Sequence, residues 1–205
     1  PLQTANFSSL IPPMSSYRAP PWLPGGHAQT LYAALLIPRP DVTYRRERWD
    51  TPDGDFIDLD WLEERGQGSG IGGRGTPLVA LFHGLEGSSR SLYALALMTA
   101  LGERGMRGVV VHFRGCGGEP NLLPRAYHSG DAQEIDWILR RFRSQNADKP
   151  LYAVGISLGG NALLKWLGES GEAAARIVGA AAAISAPLDL MAAGDALGHG
   201  FNLLY

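Results

Sequence analysis

Apolar and polar positions along this chain follow two alternating rhythms. Short continuous apolar runs at Leu78–Phe82, Val109–Phe113, Leu151–Val154 and Ile177–Ser185 read as strands buried on both faces, the pattern of a parallel sheet. Between them lie segments with helical spacing. Arg90–Glu103 has a serine start and glycine stops at Gly102 and Gly105. Asp131–Phe142 sets Ile135, Ile138, Leu139 and Phe142 on one face, with Asp131 and Glu134 suited to its N-terminus. Asn161–Leu167 carries apolar residues at the same spacing. Upstream, Thr43–Trp49 and Phe56–Leu62 are expected as two strands joined by Pro52-Asp53-Gly54-Asp55, whose Asp-Gly step suits a hairpin. Phe56, Asp58 and Asp60 alternate with Ile57, Leu59 and Trp61, so one face should meet the core. The acids Asp53, Asp55, Asp58 and Asp60 then read as a solvated strand face; their spacing does not fit an EF-hand loop and no glutamate closes one.

Alternation of this kind predicts an α/β fold: a mostly parallel, doubly wound sheet behind an antiparallel N-terminal hairpin, with its ligand crevice at the carboxyl ends of the strands. Residues 1–40, punctuated by prolines, are expected to form an arm packed on the domain, with one short helix around Thr30–Leu36. Residues 41–190 would be the core and 191–205 the start of a lid or cap. Within the arm, His27 reads as a structural histidine.

Composition narrows the function classes. A net charge of −2 and the lack of a basic stripe argue against a nucleic-acid partner. Arg140, Arg141 and Arg143 fall at the end of a predicted helix, where they complement its dipole. The single cysteine, Cys116, allows no intrachain disulfide, which fits a reducing compartment. The first residues show neither the basic region nor the apolar core of a signal peptide, and the longest apolar run, Ile177–Leu188, is too short to span a bilayer. The expected location is the cytoplasm, with no transmembrane segment. Gly68-Ser69-Gly70-Ile71-Gly72-Gly73 matches the dinucleotide fingerprint, but Thr76-Pro77 and a strand follow it instead of a helix, so no helix N-terminus is there to hold a pyrophosphate.

The chemistry concentrates at Gly155-Ile156-Ser157-Leu158-Gly159, a match to Gly-x-Ser-x-Gly set between a strand and a helix. On such a tight turn Gly155 and Gly159 must lack bulk where strand and helix cross, and the Ser157 hydroxyl is lifted out of the sheet as a nucleophile. Acyl transfer builds negative charge on the former carbonyl oxygen, and preorganised N–H donors stabilise it. Leu158 offers one donor. The loop after Leu78–Phe82 should offer the second, from Leu85 behind the shaping pair His83-Gly84. Cys116 lies on a crevice loop without an elbow or a base and reads as a packed thiol.

Several segments together carry a resemblance: Gly26–Thr30, Asp53–Asp55 with Leu59-Asp60-Trp61, His83–Ser88, His112–Asn121, Tyr127–Asp131, Gly155–Asn161 and Ser185–Leu190. From about Trp22 to Leu190 the chain resembles the YheT-like branch of the alpha/beta-hydrolases, which includes the mammalian abhydrolase-domain lipases. The resemblance implies a carboxylic ester hydrolase acting on acyl or lipid-like small molecules, with no metal and no organic cofactor. In that fold the triad runs serine, acid, histidine along the chain. After Ser157 only Asp189 and Asp195 follow the last predicted strand, and the one histidine is His199, in the lid-like tail. The acid and the histidine are therefore expected beyond residue 205, and the fold is expected to be incomplete at its C-terminus. His83, His112 and His128 read as structural, His128 being the best placed of the three to serve as a base. The alternative is a non-catalytic fragment or binding module. Its last strand would be an open edge available for self-association.

Overall fold

The computed structural model describes residues 18–63 and 75–200. Apart from Gly75, the glycine-rich insert with its dinucleotide-like motif lies outside the described residues. So do the first part of the arm and the end of the lid region. Two compact units meet in sequence at Pro38 and Arg39. In the first, helix α1 (Gly25–Leu35) begins at Gly25, ahead of the predicted Thr30. The side chains of Gln29 and Thr30 donate to the Gly25 and Gly26 carbonyls, each at 3.0 Å, which holds two glycines in a turn that they would otherwise disfavour. Trp22 packs edge-on against Tyr32, with ring centroids 5.1 Å apart.

The second unit is an α/β sheet built from strands β1 (Tyr44–Asp50), β2 (Phe56–Leu62), β3 (Leu78–Phe82), β4 (Arg107–Val111), β5 (Leu151–Ile156) and β6 (Ala180–Ile184). Their spatial order is β1-β2-β4-β3-β5-β6. β1, β2 and β4 pair antiparallel, while β4, β3, β5 and β6 run parallel. Helices α2 (Leu92–Glu103), α3 (Ala132–Gln145), α4 (Leu158–Ser170) and α5 (Leu190–Leu197) alternate with the parallel strands. Alternation along β3 divides the core in two. Leu78, Ala80 and Phe82 face Ile135, Ile138, Phe142, Leu163 and Trp166 of α3 and α4. Val79 and Leu81 face Ala94, Leu95, Met98 and Leu101 of α2. That is the doubly wound arrangement the apolar runs predict. No described helix is long and apolar enough to cross a membrane.

Two strand ends differ from the sequence reading. β4 ends at Val111, so His112 and Phe113 open the loop after it. Ile177 and Val178 are buried beside the 3-10 turn Gly171–Arg176, and β6 begins only at Ala180, with all its residues exposed.

The acidic face of β2 is not solvated. Asp55, Asp58 and Asp60 are buried. The antiparallel register sets Arg46 opposite Asp60 and Arg48 opposite Asp58. Each arginine clasps its partner through Nε and Nη2 at 2.8–2.9 Å. Asp60 also accepts from Ser89 Oγ at 2.5 Å and faces His112 Nε2 at 2.9 Å. Burial alone would raise the Asp60 pKa, but the bonds from Arg46, His112 and Ser89 hold it well below the usual carboxylate range. Asp55 and Asp53 pair with Arg114, whose Nε reaches Glu134 at 2.7 Å. Ser89, His112 and Arg114 reach Asp60 and Asp55 from 29 to 59 residues away, which is why a local alternation pattern reads the acids as solvent-facing.

Histidine 83 ties β3 to β4. Its Nε2 accepts from the Phe113 N–H at 3.1 Å, and its Nδ1 lies 2.7 Å from the Gly84 carbonyl oxygen. A carbonyl can only accept and an amide can only donate, so the proton sits on Nδ1 and the ring is neutral. Burial lowers its pKa to about 4.

Two outcomes are expected. Asp60→Ala strands His112 and Ser89 in the interior and costs about 3–5 kcal/mol, read as a lower urea midpoint. His83 binds its proton more readily unfolded than folded, so its contribution to stability is complete above pH 6.5 and is lost as the pH falls toward 4. The loss amounts to about 3 kcal/mol. Glu134, raised by burial, works in the opposite sense over that range. Urea unfolding between pH 7 and 4 should show a flatter pH dependence in His83→Gln than in the unsubstituted chain.

Candidate active site

Ser157 sits where β5 meets α4, with φ 51° and ψ −118°, a left-handed backbone conformation rare for a residue with a side chain. The bend is held from outside. Its N–H donates to the Ile184 carbonyl at the end of β6 at 2.9 Å, and Asn161 Nδ2 reaches the Pro187 carbonyl at 2.8 Å. The flanking glycines are sterically required. A Cβ on Gly155 would lie 2.6 Å from the Gly159 carbonyl oxygen and from Gly160 Cα. One on Gly159 would run into the Phe82 and His83 carbonyl oxygens. Gly160, which the motif does not specify, is confined less severely: a Cβ there would stand 3.0 Å from the Gly155 carbonyl oxygen. The clue to it in the sequence is a Gly-Gly doublet at a helix start, a poor choice for helix stability alone.

The loop after β3 comes to the serine. A Cβ on Gly84 would sit 3.2 Å from Ser157 Cβ and 3.8 Å from its Oγ. The Gly84 carbonyl faces the other way, accepting from His83 Nδ1 at 2.7 Å and from the Gly87 N–H at 3.0 Å. Because carbonyl and N–H of one peptide point in opposite directions, those two donors turn the Leu85 N–H toward the side away from them and form part of what holds its heading. Among the described residues that N–H has no acceptor, and neither does the N–H of Leu158 at the start of α4. Ser157 is part-exposed, and its Oγ has no hydrogen-bond partner among the described residues. The structure therefore brings together Ser157, Gly155, Gly159, Leu158, His83, Gly84 and Leu85.

The histidines are engaged elsewhere. His83 uses both nitrogens, as described above. Both nitrogens of His112 face acceptors, Asp60 Oδ2 at 2.9 Å and the Cys116 carbonyl at 3.1 Å. His128 Nδ1 accepts from the Gly130 N–H at 3.1 Å. Gly130 lies beside the side chain of Lys165, a residue two turns along α4 from Ser157. His199 contacts the Asp195 carbonyl at 2.6 Å on the surface. Asp189 caps α5, accepting from the Ala192 N–H at 2.9 Å. Cys116 is half-buried against the core, its thiol pushed up by burial away from the reactive thiolate. Among the described residues no cluster of three His, Cys, Asp or Glu side chains is placed to hold a metal ion.

Two cavities lie away from this centre. One, of about 510 Å3, is lined by Val42, Leu62, Met98 and Met106, near the start of β4. The other, of about 570 Å3, opens over Arg114, Asn121 and Arg125. Neither contains a predicted site residue.

Residues 77–204 match the family model for the alpha/beta hydrolase fold. The chain is 41% identical to YheT of Escherichia coli (strain K12) over 87% of its own length and 51% of that protein. It is 33% identical to the phospholipase ABHD3 of Homo sapiens over 74% of its length and 37% of that protein. It thus spans about half the length, or less, of these two relatives. Among solved structures, an esterase of Pyrococcus furiosus superposes with a TM-score of 0.57 at 16% identity, covering 75% of this chain and 53% of the other, a likeness of fold. With its elbow, its parallel sheet and these relatives, the chain belongs to the alpha/beta hydrolase fold family, in the YheT-like branch.

Proposed function

We propose that this chain carries the nucleophile and the oxyanion hole of a serine hydrolase for carboxylic esters, acyl or lipid-like. The observation that carries the reading is Ser157 at φ 51° on the β5–α4 turn, with Gly84 packed directly against it. Ser157 Oγ attacks the ester carbonyl and gives its proton to a histidine. The carbonyl oxygen becomes an oxyanion held by the Leu85 and Leu158 N–H groups, each worth about 2.7–4 kcal/mol in the transition state. The intermediate collapses, the alcohol leaves with that proton, and water then hydrolyses the acyl-enzyme. A human relative named a phospholipase favours a lipid-like ester.

The histidine and the acid are assigned to sequence outside these 205 residues. Three observations support this. The relatives are longer, β6 is exposed at every residue, and no described histidine of the sheet unit is hydrogen-bonded to Ser157. A chain without that base would bind an ester and turn it over poorly, which is the competing reading.

Fluorophosphonate labelling and p-nitrophenyl ester hydrolysis test the assignment, on the 205-residue chain and on any longer form of the reading frame. Both activities should vanish in Ser157→Ala. In Gly84→Ala, crowding of the serine should cut them by on the order of 10- to 100-fold. Labelling confined to the longer form would place the base there, whereas hydrolysis that survives Ser157→Ala overturns the site.

A further inference from the structure

Three consecutive amides follow β3, and two of them are already satisfied by phenols. The Gly84 N–H donates to Tyr93 Oη at 3.0 Å, and the Glu86 N–H to Tyr127 Oη at 2.6 Å. The middle amide, Leu85, is the one left without an acceptor among the described residues. We propose that Tyr93 and Tyr127 are positioning residues that peg the two outer amides and thereby hold the Leu85 N–H ready for the oxyanion. This inference rests on the serine hydrolase reading above.

The pegs come from separate, rigid parts of the unit. Tyr93 lies in the first turn of α2, and its hydroxyl sits so close to Gly87 that a Cβ there would collide with it. Tyr127 stacks flat on Phe113, with centroids 5.2 Å apart and planes 2° from parallel. Phe113 in turn gives its N–H to His83, whose other nitrogen binds the Gly84 carbonyl. Burial pushes the Tyr127 pKa up to about 12, so the phenol stays protonated. A lone pair of the hydroxyl oxygen accepts from the Glu86 N–H.

Backbone conformation shows what the pegs hold. Glu86 has φ 50°, a left-handed conformation in an exposed residue that is neither glycine nor asparagine. Its own side chain has no hydrogen bond among the described residues that would account for this. The Gly87 N–H bond to the Gly84 carbonyl closes a turn with Glu86 at its third, positive-φ position, and the Tyr127 hydroxyl on the Glu86 amide is a further hold on that turn. A turn relaxed to an ordinary φ at Glu86 would swing the adjoining Leu85 peptide away from Ser157. Because Glu86 is exposed, water can take over its amide when the phenol is removed. The fold then loses little while the oxyanion donor loses its heading.

The test compares Tyr93→Phe and Tyr127→Phe with the unsubstituted protein, in the longest form of the reading frame that hydrolyses p-nitrophenyl butyrate. Each variant should lower kcat by about 10- to 100-fold with KM within twofold. Each should also weaken a trifluoromethyl ketone, which forms the tetrahedral oxyanion adduct, by the same factor as kcat/KM. Thermal midpoints should stay within a few degrees. Replacing Tyr127 by 3-fluorotyrosine, which keeps the hydroxyl, should restore kcat. Unchanged kcat in both phenylalanine variants, with Ser157→Ala inactive, overturns the inference and leaves the hydrolase reading standing. Hydrolysis surviving in Ser157→Ala overturns both. A variant that loses its folded state, or in which 3-fluorotyrosine fails to rescue, assigns the phenol to structure and overturns the positioning role.

Discussion

The structure depends on how closely β5 and α4 approach β3 at the elbow. Gly155 and Gly159 bring the start of α4 against the backbone of β5 and the carbonyls of Phe82 and His83, leaving no room for a Cβ, and Gly160 leaves little. Two things follow from that contact. The helix starts so abruptly that Ser157 must take a left-handed conformation, and the loop leaving β3 is forced up beside the serine instead of curling away. Nucleophile and oxyanion loop are thus one steric feature. A larger residue at Gly159 would push α4 off β3 and separate them together.

That contact was legible in the sequence because it is local. A Gly-x-Ser-x-Gly between an apolar run and a helical stretch specifies strand, turn and helix within a few residues, and the apolar runs place β3 and β5 with few ambiguities. The contents of the β3 loop were legible only in part. His83, Gly84 and Leu85 follow from their position after the strand. Tyr93 and Tyr127 do not, since one lies in a mostly apolar helix and the other in a proline-flanked loop. Nothing local ties either hydroxyl to an amide nine residues away in one case and forty-one in the other. Gly160 lies just past the motif, as the second half of a doublet, and the motif's spacing says nothing of it.

The hairpin acids fail as a sequence reading for the same reason in reverse. Alternation along Phe56–Leu62 gives the direction of each side chain correctly, but it is silent on what waits there. Arg46 and Arg48 arrive through the β1 register, His112 from the end of β4 and Ser89 from the turn before α2. Gly117 closes over Asp58, so close that a Cβ on it would strike the carboxylate. Once these partners converge, burial of the acids becomes favourable, because each charge is matched and its remaining lone pairs are filled. The Asp60–Ser89 bond also reaches the far end of the turn that bears Leu85. The buried charges and the candidate oxyanion loop are therefore held by one network.

His83 shows why proximity to a nucleophile does not make a base. It neighbours Gly84, which touches Ser157, and it is deeply buried. Both its nitrogens are committed, one donating to the Gly84 carbonyl and one accepting from the Phe113 amide. To take a proton at Nε2 it would have to give up the Phe113 amide and carry a charge in the core, and the lowered pKa expresses that cost. The same ring is well suited to another task. A neutral imidazole locked in one tautomer is a fixed donor, and its target is the carbonyl whose peptide presents the Leu85 N–H. Burial therefore removes the histidine from acid–base chemistry and makes it part of the frame that aims the amide.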